Sequence, residues 1–250
     1  MAKFSITEEQ FKGMVGAVAK NPREMFLSPA ARQALAIKRF KDSGSTIRVQ
    51  DQTSEGVMPG TIAHNRKQID DESFASAERS LRLINPFSAI EGIFRGAAEK
   101  IVLSVGPRTE MELLHLVGVG FSPQNIKAID LISTSEWIDP GDMHAMPYPD
   151  QKFDVAISSW VLAYSSTPQK AVDELLRVTK SGGIIAIGAT YNPQADALEY
   201  KDEGSRILGS RFRRVDQYLA MIGNKLDRIY FQDEPRDDTH GAVILVAGIR

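Results

Sequence analysis

Two patterns of apolar and polar positions divide the chain near residue 99. Before that point the spacing is helical. Thr7 and Gln10 form the signature of a capping box, and Phe11, Met14, Val15 and Val18 then fall on one helical face. Lys20-Asn21-Pro22 ends that helix, and Ser28-Pro29 opens a second that runs to about Ser43-Gly44, with serine as cap and proline in the first turn. Residues 45–70 read as loop with a short strand at Thr46–Val49. A third helix runs from Asp71 to Asn85-Pro86, where the proline breaks it, and a short apolar segment, Phe87 to Phe94, follows.

Beyond residue 99 short apolar runs alternate with helical spacing. Lys100–Val105, Ile126–Leu131, Phe153–Ser158 and Gly183–Gly188 read as strands, each ending in small or polar residues. Thr167-Pro168 starts a helix whose Ala171, Val172, Leu175 and Leu176 face inward, and Ser181-Gly182-Gly183 stops it. Strand–helix alternation predicts a mostly parallel sheet. Lys225–Gln232 and Ala242–Ile249 are two further strands joined by only a short polar loop, too short for a parallel crossover, so the last strand runs antiparallel. With one more strand to fit within residues 131–141, the expected fold is a Rossmann-like α/β domain over residues 99–250, seven-stranded and mostly parallel with an antiparallel last strand, carrying a helical N-terminal extension over residues 1–98.

Composition narrows the chemistry. The 250 residues include no cysteine, which removes disulfides, thiolate metal sites and a cysteine nucleophile. Thirty basic and 32 acidic residues give a net charge of −2, and the cluster Arg211, Arg213, Arg214 is too short to mark a nucleic-acid surface. No signal-peptide or membrane-spanning run occurs, so the expectation is a cytoplasmic protein with no nucleic-acid or membrane partner. No metal site is expected.

In an open α/β sheet, ligands bind beyond the carboxyl ends of the strands, so the informative residues follow each apolar run. They are Ser104-Val105-Gly106-Pro107-Arg108-Thr109-Glu110, then Asp130-Leu131, then GDMHAMP (141–147), FDVAISSWVL (153–162) and ELLRVTKSGG (174–183). In this order the segments resemble the small-molecule branch of the class I S-adenosylmethionine-dependent methyltransferases, of the methyltransferase-11 type. That family shows a glycine loop, an acid ending the second strand, then GD-x-x-x-LP, FD-x-V and LLRV-x-K-x-GG.

The resemblance covers about residues 99–190 and implies S-adenosylmethionine as cofactor. Asp130 would accept from the ribose hydroxyls and Asp142 from the adenine amine, with the Met143 N–H at a ring nitrogen. Gly106, Arg108, Thr109, Glu110, Leu131, Ser159 and Trp160 would complete the cofactor site. His144 and Tyr164 would face the substrate, while Asp154 has a structural role. The resemblance supports no catalytic residue.

Two departures matter. The family's D/E-x-G-x-G-x-G would put an acid at Ser104 and glycines at Arg108 and Glu110, and only Gly106 remains. A capping box at Thr109 and Glu112 keeps the helix start in place, so that its N–H groups and Arg108 meet the cofactor carboxylate and Glu110 meets its ammonium group. Second, residues 131–141 leave room for a single turn at most before the third strand, and Trp137 either covers the gap or fills core. Of the other histidines, His115 is expected to pack inside its helix.

Three readings follow. The first is a methyltransferase that forms an O-methyl group on a small-molecule, sugar or glycan acceptor enclosed by the N-terminal helices and a lid at Thr190–Val215. The second is a non-catalytic protein of the same fold with a binding or regulatory role. The third, a nicotinamide-dependent dehydrogenase, lacks its G-x-G-x-x-G.

Overall fold

The computed structural model describes residues 6–70, 77–193, 200–202, 205–207, 212–236 and 239–250. The N-terminal part holds α1 (Glu8–Lys20), α2 (Pro29–Asp42), β1 (Arg48–Val49), α3 (Thr61–Asp70), α4 (Ala77–Ile84) and the one-turn α5 (Glu91–Phe94). There follow β2 (Val102–Val105), α6 (Glu110–Val119), β3 (Ile126–Asp130), β4 (Ile132–Ser133) and β5 (Asp139–Pro140). The chain continues through β6 (Phe153–Ser159), α7 (Pro168–Val178), β7 (Thr179–Tyr191), β8 (Tyr200–Asp202), β9 (Ser205–Ile207), α8 (Val215–Ile222), β10 (Leu226–Asp233) and β11 (Gly241–Ile249).

Seven strands form the main sheet in the order β10-β11-β7-β6-β2-β3-β5. The strands from β7 to β5 pair in parallel, and β11 is antiparallel to both neighbours, as the short connection between the last two strands requires. Side-chain alternation along β11 shows how the sheet is covered. Val243, Leu245, Ala247 and Ile249 join the cluster under α7 and α8. Ala242, Ile244 and Val246 join the cluster under α4 and α6. Chain order reverses at β2, with β3 on one side and β6 on the other, so a crevice opens at those tips.

The N-terminal part packs onto this frame. Ala36 of α2 meets Met111 and Leu114 of α6, and β1 pairs antiparallel with β4. The capping box of α1 forms, yet the helix buries nothing, and Phe11 is 59% exposed.

Several expectations need correction. Residues 61–70 are helical rather than loop, because the positions facing inward, Thr61, His64, Asn65 and Ile69, are spaced as a helix but are mostly polar. The expected helix start at Asp71 lies outside the described residues. Thr167 precedes α7 without a side-chain capping bond. Thr109 accepts from Met111 N at 3.4 Å, but Glu112 does not return the bond, because its carboxylate turns inward to the Ser104 hydroxyl at 2.6 Å. Asp154 accepts from Ile101 N and pairs with Lys180, a structural role. Between β3 and β5 the chain holds only β4 and turns, as the short spacing demands, and Trp137 lies half-buried against the core there. Among the described residues no helix is long and apolar enough to cross a membrane.

Candidate functional site

At the tips of β2, β3 and β6 lies a cavity lined by Val105, Gly106, Ile129, Asp130, Leu131, Gly141, Asp142, Met143, Val161 and Tyr164. Val57, Thr61 and Asn65 close it from the N-terminal side. Its free space is about 40 Å³.

Asp130 ends β3 and is 7% exposed. Burial pushes its carboxyl above the usual range, against the hydrogen bonds from the Ile132 and Arg108 amides and the Arg108 charge. Its Oδ2 accepts from Arg108 N at 2.8 Å and its Oδ1 from Ile132 N at 3.1 Å.

Asp142 behaves in the opposite way. Burial raises its carboxyl, but bonds from His144 and Ser54 outweigh burial and hold it well below the carboxylate range. Oδ1 takes both the His144 amide (2.9 Å) and ring Nδ1 (2.7 Å), while Oδ2 takes the Ser54 amide at 2.7 Å. The ring Nε2 of His144 meets Ser165 Oγ at 2.6 Å, so a buried Ser165–His144–Asp142 chain fixes the carboxylate.

The loop after β2 keeps a glycine-like path without the glycines. Gly106 has φ +78° and Arg108 φ +53°, a left-handed conformation that costs an L-residue roughly 1–2 kcal/mol. Bonds from its backbone and its side chain hold Arg108 there. Its amide donates to Asp130, its carbonyl accepts from Thr134 Oγ1, and its guanidinium donates to Asn65 at 2.8 Å.

Of the residues singled out in the sequence, Gly106, Asp130, Leu131, Asp142, Met143 and Tyr164 come together on the cavity wall. Arg108, Thr109 and Ser159 do not line the cavity. Glu110 turns away from it, its carboxylate held by Arg39 at 2.5 Å and by the Ser135 hydroxyl. That pairing depends on α2 packing over α6, which a linear reading does not show. Trp160 leans on Gly188 and donates to Thr190, and so belongs to the core. His144 lies behind Asp142 and under Gly56, where a Cβ would come within 2.6 Å of the ring. His115 is buried on α6 against Asn85. Among the described residues no cluster of His, Asp or Glu suits a metal ion. The Thr190–Val215 segment lies largely outside the described residues.

Residues 48–65, read from the sequence as loop and short strand, also belong to the site. They cross the strand tips through Gln50 N to Leu131 O (2.9 Å), Met58 N to Tyr164 O (3.2 Å) and a bridge between Val57 and Ser165. His64 stacks on Tyr164 with ring centroids 5.8 Å apart. The one sequence signal was the spacing of Thr61, Asn65 and Ile69, hidden by its polarity.

Residues 104–187 match the methyltransferase domain family. An uncharacterized 37.1 kDa protein of transposon TN4556 from Streptomyces fradiae is 24% identical over 83% of this chain and 60% of its own length. Ajmaline N-methyltransferase from Rauvolfia serpentina is 30% identical over 43% of this chain and 40% of its own. The chain thus spans less than two thirds of the length of these curated relatives. A Burkholderia thailandensis 1,6-didemethyltoxoflavin-N1-methyltransferase superposes with a TM-score of 0.50 at 14% identity, covering 81% of this chain and 94% of that one. At that identity the likeness concerns the fold.

Proposed function

We propose that residues 104–187, which match the methyltransferase domain family, belong to its class I S-adenosylmethionine-dependent branch and that the strand-tip cavity holds the adenosyl end of that cofactor. The observation that carries this reading is the pair of buried carboxylates, Asp130 and Asp142, at the tips of the neighbouring strands β3 and β5 beside the Gly106 turn. The lining fits the group's chemistry. Asp130 accepts from a ribose diol, Asp142 Oδ2 from an exocyclic amine, and the Met143 N–H faces a ring nitrogen. When bound, the cofactor supplies an electrophilic sulfonium methyl, and the chain supplies alignment and exclusion of water.

The acceptor is a small molecule placed between Tyr164 and the N-terminal cover. His64 stands behind Tyr164, its Nε2 3.4 Å from the phenol, and this pair takes the proton from an acceptor hydroxyl when the product is an O-methyl group. A second reading, a binding protein of the same fold without turnover, draws on Glu110, which Arg39 and Ser135 hold away from the cavity.

Calorimetric titration with S-adenosylhomocysteine tests the cofactor assignment. Asp130→Ala is expected to weaken binding by about 1–3 kcal/mol through lost hydrogen bonds. Equal affinity of the variant and the wild type would remove the ribose from Asp130.

A further inference from the structure

The segment over the cavity already makes the hydrogen bond that an adenine would make. His144 uses both its amide and its ring on Asp142 Oδ1, which leaves Oδ2 as the oxygen turned to a ligand. The Ser54 N–H occupies that oxygen at 2.7 Å, as an exocyclic amine does. Val57, Thr61 and Asn65 stand opposite the Gly106 turn, and about 40 Å³ remains. Pockets for ligands of this size span roughly 300–1,000 Å³.

The segment is also closely seated. Gly56 passes so near His144 and Thr167 that a Cβ would lie within 2.7 Å of both. Arg48 anchors the segment's start, outside the cavity, by donating to Ser133 Oγ and to the carbonyls of Ser135 and Ile138.

We propose that residues 50–65 are an intramolecular competitor of the cofactor, which must displace Ser54 from Asp142 before an adenosyl group can bind. The inference rests on the cofactor assignment above. A closed population that binds nothing lowers apparent affinity by the fraction that is open. Loosening the cover away from the cavity therefore raises affinity, whereas loosening an ordinary enclosing wall lowers it.

The test combines calorimetry with hydrogen exchange on the full chain, with S-adenosylhomocysteine as probe. Arg48→Ala is expected to bind it about three- to tenfold more tightly than the wild type. In the wild type the ligand is expected to speed amide exchange across residues 50–58. Slower exchange there, or unchanged or weaker binding by Arg48→Ala, overturns the competitor and leaves the cofactor assignment standing. Absence of binding by both proteins overturns the assignment and the competitor together. Binding by Arg48→Ala alone supports both. Should that variant fold poorly, the exchange measurement on the wild type decides by itself.

Discussion

Gly106 holds φ at +78°, and a Cβ there would lie 1.9 Å from Val161 Cγ1. Two separate penalties therefore meet at this residue, one in the backbone and one in packing. Gly106→Ala is expected to lower stability by more than about 1 kcal/mol and to reduce S-adenosylhomocysteine affinity at least tenfold. Adding Val161→Ala removes the clash but not the left-handed strain. The double variant should thus recover part of the loss in thermal unfolding, and full recovery would show that the conformation of Gly106 is immaterial. Arg108 shows the other side of the same geometry. Its neighbours hold it in a left-handed conformation, so the loop's path outlasts the residue type that usually permits it.

At the scale of the element, α6 is the unusual helix, because Glu110, Glu112 and His115 are all buried on it. Burial pushes the Glu112 carboxyl up, while the Ser104 hydroxyl pulls the other way. A carboxyl whose folded pKa is raised loses stability as pH rises from its unfolded value through the folded one. Glu112→Gln keeps an acceptor for Ser104 and removes the charge, so its advantage in melting temperature should grow from pH 5 to pH 8. An advantage that shrinks over that range would show that Glu112 stays ionised without cost.

The same helix marks the limits of a linear reading. Strands β2, β3, β6 and β11 were legible because each is a compact apolar run between punctuating residues. The Thr109–Glu112 box was not, because Ser104, five residues before Thr109, offers Glu112 a buried partner that competes with the backbone. Likewise α3 carries no apolar stripe, because it buries Thr61, His64 and Asn65, and the partners of His64 and Asn65 are distant in sequence. The strand-tip residues of the site could be placed from their position after apolar runs. Its N-terminal wall could not, since no local pattern states which surface residues 48–65 cross.

For the molecule as a whole, His115 sets a pH limit. Burial, with the nearby Arg32 charge, pushes its ring down to about 3. Arg32 is itself buried, with Nε and Nη2 lacking partners, so a second cation beside it is strongly disfavoured. An unfolded chain takes up the proton near pH 6.5, whereas the folded one resists until about 3. Stability is therefore lost progressively as pH falls through that window, by about 2 kcal/mol between pH 7 and pH 5 from this group alone. Urea unfolding at both values should show the loss in the wild type and a smaller one in His115→Gln; equal losses would assign the effect elsewhere.

The pairing of β1 with β4 joins Arg48 to Ser133, 85 positions away in the chain. Closing so long a loop is favourable only once the partner strand is in place. On the ribosome the segment around Arg48 emerges first, yet it has no docking surface until residues 126–140 have left the tunnel. The segment around Arg48 thus waits for a strand made 85 positions later, and nascent chains that stop short of β4 will carry β1 unpaired.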